Sequence, residues 1–311
     1  MIELFRNRSY NFIGKRRWAY LVSLALMVVC LTSLAVRGLH YDIDFTGGTL
    51  IQVRFEQPPT VAAIRTALAR LTLGDAVIQE FGDAREYIVR VPLRSESSEE
   101  LGKRVENALR QEQGLGAFTI RRVEFVGPQV GRELQWQAIQ AVLFGLVGIL
   151  IYIAVRFDVK GGVAAIVAVF HDVIICLGAI SLTGREFSLP VLAALLTIIG
   201  YSVNDTIVAY DRLRENRGKF VPKGRTFAEQ MNDAVNQTLS RTVLTALTTF
   251  FAAAVLLFFG GKTLEDFAFV LFVGVLTGTY STIYIAASIV VDWTQYVEGR
   301  LRRGKKAVAK A

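Results

Sequence analysis

The sequence predicts an α-helical membrane bundle of six spans that carries one exported α+β domain of the ferredoxin-like βαββαβ pattern. Three observations predict it. Six apolar runs each approach the roughly 20 residues needed to cross hydrocarbon. Charged residues make up only 20% of the 311 and gather between those runs, whereas 52% of the chain is hydrophobic, which sets it apart from an ordinary soluble protein. A single long polar segment, 37–135, alternates strand and helix periodicities.

The apolar runs cover 18–36, 136–155, 163–183, 189–209, 242–259 and 267–291. Orientation follows from the Lys and Arg residues beside the short loops. Arg6, Arg8, Lys15, Arg16 and Arg17 precede the first run, and Arg156 with Lys160 separate the second from the third. Arg212, Arg214, Arg217, Lys219, Lys223, Arg225 and Arg241 fill the link from the fourth to the fifth, and a basic tail from Arg300 to Lys310 ends the chain. The two short loops on the other side hold only Arg185 and Lys262. Residues 1–17 and 292–311 are therefore expected in the cytoplasm and 37–135 outside it. The net charge of +8 reads as this topology signal; its dispersal over membrane-flanking loops argues against a nucleic-acid partner. The basic start and the small residues at Ser33-Leu34-Ala35 have the form of a cleaved signal, but the apolar core between them is too long and reads as an anchor. Cys30 and Cys176 both fall inside spans and read as packing residues.

Within 37–135, residues 50–55 alternate as a strand, 60–71 carry helical spacing, 76–81 and 86–92 read as strands, 97–113 as a second helix and 118–126 as a last strand. That order is the split βαβ sandwich. Its sheet edges suit the addition of an extended polypeptide, with a plain spacer as the alternative. In the link 212–241, Phe227, Met231, Ala234, Val235 and Leu239 recur at helical spacing, which predicts an amphipathic interfacial helix running directly into the fifth span.

Asp205 is the residue that points to chemistry. It places a carboxylate within an apolar run, in the sequence Gly200-Tyr201-Ser202-Val203-Asn204-Asp205-Thr206. Ionisable groups at that depth are costly and mark substrate or ion pathways; the alternative is a protonated carboxyl that only joins helices by a hydrogen bond. Asn204 and Thr206 flank it, while Tyr201 and Ser202 lie one turn away, and all four can hydrogen-bond the carboxyl or a chain of waters. The same oxygens suit sodium as a rival to the proton. In the fifth span Arg241, Thr245 and Thr248 form a polar stripe that Thr249 widens. Arg241 is the natural counter-charge for Asp205, although the expected span boundaries put it nearer the cytoplasmic surface. His171 and Asp172 sit side by side in the third span; about 100° separates them on a helix, so only one faces the cavity of Asp205, with Asp172 the candidate relay. Asp158, in the turn before that span, is expected to be solvated. Gly145, Gly148, Gly274 and Gly278 allow close helix contact. Gly47 and Gly48, just beyond the first span, can take backbone angles closed to other residues and offer a joint between bundle and domain. His40 and His171 lie on different segments, with no metal-ligand spacing around them. Gly260-Gly261-Lys262-Thr263 lacks the leading glycine of a phosphate-binding loop. No metal, cofactor or enzymatic activity is therefore expected.

These residues also carry a resemblance. Asp44-Phe45-Thr46-Gly47-Gly48-Thr49 after the first span, Gly200 to Val208 in the fourth, the following Asp211-Arg212-Leu213-Arg214-Glu215-Asn216, and Ser240-Arg241-Thr242 entering the fifth are similar to the SecF family. This is the smaller membrane subunit of the SecD/SecF complex of bacterial protein export, in the resistance-nodulation-division superfamily. The resemblance spans nearly the whole chain. It implies a bacterial inner-membrane protein that pairs with SecD, acts on exported preproteins at the SecYEG translocon and draws on the proton gradient, with Asp205 and Arg241 matching residues tied to proton transport. A superfamily exporter of small molecules or lipids is the competing expectation, against which the single small exported domain argues. A passive scaffold for the translocon is the other.

Overall fold

The computed structural model describes residues 9–81, 83–92, 98–156, 158–218 and 224–308. The chain enters through a short 3-10 turn, Ile13–Lys15, into α1 (Arg16–Arg37), which Gly38 ends at a φ of 69°. A two-residue strand β1 (His40–Tyr41) and the single-turn helix α2 (Ile43–Thr46) follow; Asp42 caps α2 by accepting the Ile43 N–H.

The domain then runs β2 (Gly48–Phe55), α3 (Val61–Ala69), β3 (Val77–Phe81), β4 (Asp83–Pro92), α4 (Ser98–Gln111) and β5 (Phe118–Val126). The sheet order is β3-β4-β2-β5, antiparallel throughout, the ferredoxin-like arrangement expected. Alternation does the sorting: Ile51, Val53 and Phe55 from β2 with Val89 and Val91 from β4 point to one face. There they bury against Ile64 and Leu68 of α3 and Leu101, Val105 and Leu109 of α4. Thr60, expected as the first helical residue, is instead the cap of α3, its hydroxyl accepting the Ala63 N–H.

From Gly127 the chain returns to the membrane as α5 (Pro128–Arg156), which starts two turns before the expected residue 136. Next come α6 (Val159–Thr183), the strand β6 (Glu186–Phe187), α7 (Leu189–Gly218), α8 (Phe227–Phe259) and α9 (Lys262–Ser281). A π turn, Thr282–Ala286, joins α9 to α10 (Ala287–Val308). Asp158 is exposed, as expected, but it also caps α6 by accepting the Gly161 N–H at 2.9 Å. Among the described residues six helical segments are long and apolar enough to span a membrane, and the chain is a multi-pass membrane protein. The α6, α7 and α9–α10 segments are half buried and form the centre, whereas α1, α5 and α8 present most of their apolar surface outward.

The amphipathic part of the link 212–241 runs directly into the fifth span, as expected. The link's first residues extend α7 to Gly218, and its amphipathic part is the start of α8, closed by a capping box between Thr226 and Glu229. The apolar stripe faces protein rather than lipid. Met231, Ala234, Val235 and Leu239 bury against Ile13, Tyr210, Leu213 and Val290. On the neighbouring face Asn232 and Asn236, one turn apart, bind the backbone of Tyr10 and Phe12 at 2.8–2.9 Å and tie the entering chain to α8.

The domain is clamped to the α6–α7 turn. There β1 pairs in parallel with β6, and Phe45 packs against Phe187 with ring centroids 5.4 Å apart. Arg90 of β4 forms ion pairs with Asp42, at 3.1 Å, and with Glu186. Burial raises the Glu186 carboxyl above the ordinary carboxylate range, with Arg90 opposing, and burial beside Asp42 raises Asp44. Gly47 and Gly48 lie inside this junction. Both have positive φ, 72° and 145°, and a Cβ on Gly48 would sit 2.6 Å from the Val91 carbonyl oxygen.

Gly48→Ala is therefore expected to destabilise the protein by more than the ~1–3 kcal/mol of backbone strain alone. Gly102→Ala, whose Cβ would meet Val123 at an ordinary 3.6 Å in the middle of α4, should be neutral or stabilise by up to ~1 kcal/mol. Thermal unfolding of the two full-length variants beside wild type checks both; equal midpoints would remove the steric role of Gly48.

Candidate functional site in the bundle

Position along α7 decides the site. Tyr201 and Asp205 stand one turn apart on one edge of the helix; Ser202 and Thr206 stand one turn apart on the next, rotated by about 100°. The two edges meet different neighbours.

The Ser202–Thr206 edge faces the centre and is hydrogen-bonded throughout. Asp172 of α6, 1% exposed, accepts the Ser202 hydroxyl at 2.6 Å and the Ser281 hydroxyl of α9 at 2.7 Å on Oδ2. Its Oδ1 lies 3.0 Å from His171 Nδ1. Thr206 and Thr282 share a hydrogen bond at 3.1 Å, and the Thr282 hydroxyl also reaches the Ser202 carbonyl at 3.3 Å. Close approach of α9 makes this possible: a Cβ on Gly274 would sit 2.5 Å from Ile198, and one on Gly278 would sit 3.2 Å from the Ser202 Cβ. The Gly274–Gly278 spacing thus serves contact within this chain. Gly145 of α5 comes near Leu196 of α7 more loosely, at 3.8 Å, while Gly148 faces open space.

The Tyr201–Asp205 edge faces α8 and is left open. Asp205 is 3% exposed, and its Oδ2 is buried with no hydrogen-bond partner among the described residues. Arg241 acts on it electrostatically, but no ion pair joins the two among the described residues. Depth does not keep them apart. Counted from the domain end, Asp205 lies sixteen residues along α7 and Arg241 eighteen residues along α8, roughly 24 and 27 Å at 1.5 Å per residue. The expectation that Arg241 sits nearer the far surface is thus reduced to about 3 Å. The Tyr201 hydroxyl is also buried without a well-formed hydrogen bond, in a niche edged by Thr245, Thr249 and Thr279.

The threonine stripe of α8 differs from the expected lining. Thr245, Thr248 and Thr249 donate to their own helix carbonyls, including Thr245 to Arg241 at 3.0 Å, and Thr248 is exposed on the outer surface. Asn204 is likewise exposed and turned away from its neighbour Asp205, and Arg241 is exposed beside the buried carboxyl. The structure thus brings Asp205, Tyr201, Thr245 and Arg241 to one α7–α8 seam, places Asp172, Ser202 and Thr206 in a second, and leaves Asn204 and Thr248 on the surface. Gly47 and Gly48 belong to the domain junction.

Ser281 and Thr282 are the residues that sequence reasoning passed over. Their signal was the hydroxyl-rich stretch Thr277 to Thr282 inside an apolar span, and Thr282 opens the π turn beside Thr206. His171 sits on the far side of Asp172, where it stacks on Tyr280 at 6.1 Å and keeps Nε2 without a partner among the described residues. Among the described residues no group of three His, Cys, Asp or Glu side chains is placed to hold a metal.

The family described as "Protein export membrane protein SecD/SecF, C-terminal" matches residues 104–296, and the "SecD/SecF GG Motif" family matches residues 32–59, which include Gly47 and Gly48. The Protein translocase subunit SecF of Desulfurispirillum indicum is 45% identical over 299 residues, 94% of each chain. That of Pseudomonas aeruginosa is 46% identical over 285 residues, 92% of this chain and 91% of the other. A crystal structure of SecDF, a translocon-associated membrane protein from Thermus thermophilus, matches with a TM-score of 0.82 at 42% identity, over 95% of this chain and 40% of that one. SecDF in a super-membrane-facing form matches with a TM-score of 0.70 at 42% identity, over 98% and 40%. The chain thus spans about 40% of the SecDF chains it matches. At 45–46% identity over more than nine-tenths of these relatives, the chain belongs to the SecF family.

Proposed function

We propose that this chain is an accessory subunit of the Sec protein-translocation system, which acts with SecD at SecYEG to promote export of preproteins and is driven by protons exchanged at Asp205. The buried, unpartnered Oδ2 of Asp205 within reach of the Arg241 charge carries this reading. A carboxyl that only fastened helices would have its oxygens occupied, as those of Asp172 are. Asp205 instead has an unsatisfied oxygen and an exposed cation as neighbour, the elements of a group that takes up and releases a proton. In this reading Asp172, Ser202 and Thr206 position α7, while Tyr201 and Thr245 line the path to Asp205. No cofactor enters, and sodium is the rival coupling ion. The chain has no enzymatic role here; its relatives are named as translocase subunits.

SecD as partner is supported by the SecDF likeness and by the surface itself. Asn204 and Arg241 are exposed beside apolar residues, where lipid would leave them unsatisfied. A second bundle of six spans would cover them. We place the protein in the bacterial inner membrane with both termini in the cytoplasm, as the basic loops direct.

One proton crossing 100 mV releases about 2.3 kcal/mol, enough to shift a two-state equilibrium roughly fifty-fold. Since α7 follows directly from β6, movement of α7 reaches the domain through the β1–β6 contact. In membrane vesicles, Asp205→Asn is expected to assemble yet lose gradient-stimulated export, because Asn keeps size and hydrogen bonding without proton exchange. Normal export that still requires the gradient would rule out Asp205 as the carrier, and stimulation that tracks sodium rather than pH would favour the rival ion. Asn204→Leu is expected to weaken co-purification with a SecD-type protein; unchanged recovery would contradict the proposed interface. Cross-linking positions 41 and 187, at the domain junction, should stop export without lowering the unfolding midpoint, and undiminished export would contradict motion there.

A further inference from the structure

At the end of the bundle away from the domain, α5, α6, α7, α8 and α10 leave a cavity of about 640 Å³ between them. Its floor is Tyr210, Leu213, Phe227 and Val290, and its rim carries Arg156, Lys160, Arg214 and Arg217 against two carboxylates, Asp158 and Glu298. The two carboxylates offset only part of the rim's positive charge. Asp158 is engaged in capping α6, and no ion pair among the described residues links either acid to Lys160, Arg214 or Arg217. Arg156 pairs with Asp211 at 2.6 Å. Arg217 lies over the Phe227 ring at 5.5 Å, which fixes its guanidinium at the cavity wall. Among the described residues Arg214 reaches only the Arg156 carbonyl, at 3.5 Å. The cavity therefore holds more cations than carboxylates in one concave space with an apolar floor, and an added anion lowers the repulsion among them.

The surroundings narrow the anion. The cavity opens where the apolar spans end and the basic loops begin, the level of lipid phosphates. Basic pockets between spans at that level hold anionic headgroups, each Lys or Arg near the surface contributing about 1 kcal/mol. The apolar floor suits the glycerol and first methylenes of an acyl chain better than it suits water. Arginine offers paired donors to phosphate oxygens, and the half-buried Lys160, in the first turn of α6, adds a point charge. We propose that this cavity is a binding site for a phosphate-bearing anion, supplied by an acidic phospholipid headgroup or by free phosphate, with Lys160, Arg214 and Arg217 as its ligands. Because its walls come from five helices, an occupied site braces the far ends of α6, α7 and α8.

The test is thermal unfolding of the full chain in detergent, titrated at constant ionic strength with phosphatidylglycerol, with phosphatidylcholine and with inorganic phosphate. Wild type is compared with Lys160→Gln/Arg214→Gln/Arg217→Gln and with Lys15→Gln/Arg17→Gln/Arg225→Gln, which removes equal charge from the same end outside the cavity. The expected result is a saturable rise in midpoint with phosphatidylglycerol, retained in the second variant and shifted at least tenfold to higher lipid in the first. A matching rise with inorganic phosphate assigns the site to the free anion. Should the first triple variant not fold, Lys160→Gln alone is expected to raise the half-saturating lipid about threefold. Equal titrations in wild type and the cavity variants, or a response to phosphatidylcholine equal to that to phosphatidylglycerol, would overturn the proposal.

Discussion

The bundle depends on one constraint: hydrocarbon offers no hydrogen bonds, so each polar side chain in a span must find a partner on its own helix or another, or face a wet or protein-covered surface. Gly274 and Gly278 let α9 approach α7 closely enough for Ser202, Thr206, Ser281, Thr282 and Asp172 to satisfy one another. Around that closed seam the other helices arrange themselves. Along α7 the next edge, only 100° away, is built the opposite way, with Tyr201 and Asp205 each holding a buried oxygen that lacks a well-formed hydrogen bond. A hydrogen-bonded seam thus stands beside an unsatisfied one on the same helix.

That asymmetry bears on how the membrane part addresses the domain. The turn between α6 and α7 carries β6, Glu186 and Phe187, and these are the groups that meet β1, Arg90 and Phe45. On its other side Arg185 is held by Glu265 at 2.9 Å and by Asp266 of α9, and its guanidinium lies over Phe269. The domain therefore rests on the ends of the helices that form the closed seam. Gly47 and Gly48 are packed into this contact rather than free within it; any rotation of the domain has to break the β1–β6 pairing first.

Much of this was legible in the sequence, for physical reasons that differ by region. The domain was readable because period-2 and period-3.6 patterns separate cleanly in a water-exposed sandwich: β5 runs over Phe118–Val126 as expected, and the other elements differ only at their ends. Span ends were read less well. Capping and polar residues carry α5, α7 and α8 past the apolar runs, so hydropathy alone stopped short. The stripe at Met231, Ala234, Val235 and Leu239 shows helical spacing but not whether lipid or protein covers it; here protein does. Asp205 was found from its setting in an apolar run. Its separation from Asp172, and the pairing of Asp172 with serines on two other helices, depend on helix rotation, which a single chain does not encode locally.

The central claim is that Asp205, and not Asp172, exchanges its proton with the surrounding water. Infrared difference spectroscopy of the full chain in membranes, recorded as pH is stepped, reads this directly through carboxyl C=O bands from the hydrocarbon-buried groups. The account requires a pH-dependent band that Asp205→Asn abolishes and Asp172→Asn leaves in place. A band that survives Asp205→Asn and vanishes in Asp172→Asn would contradict it.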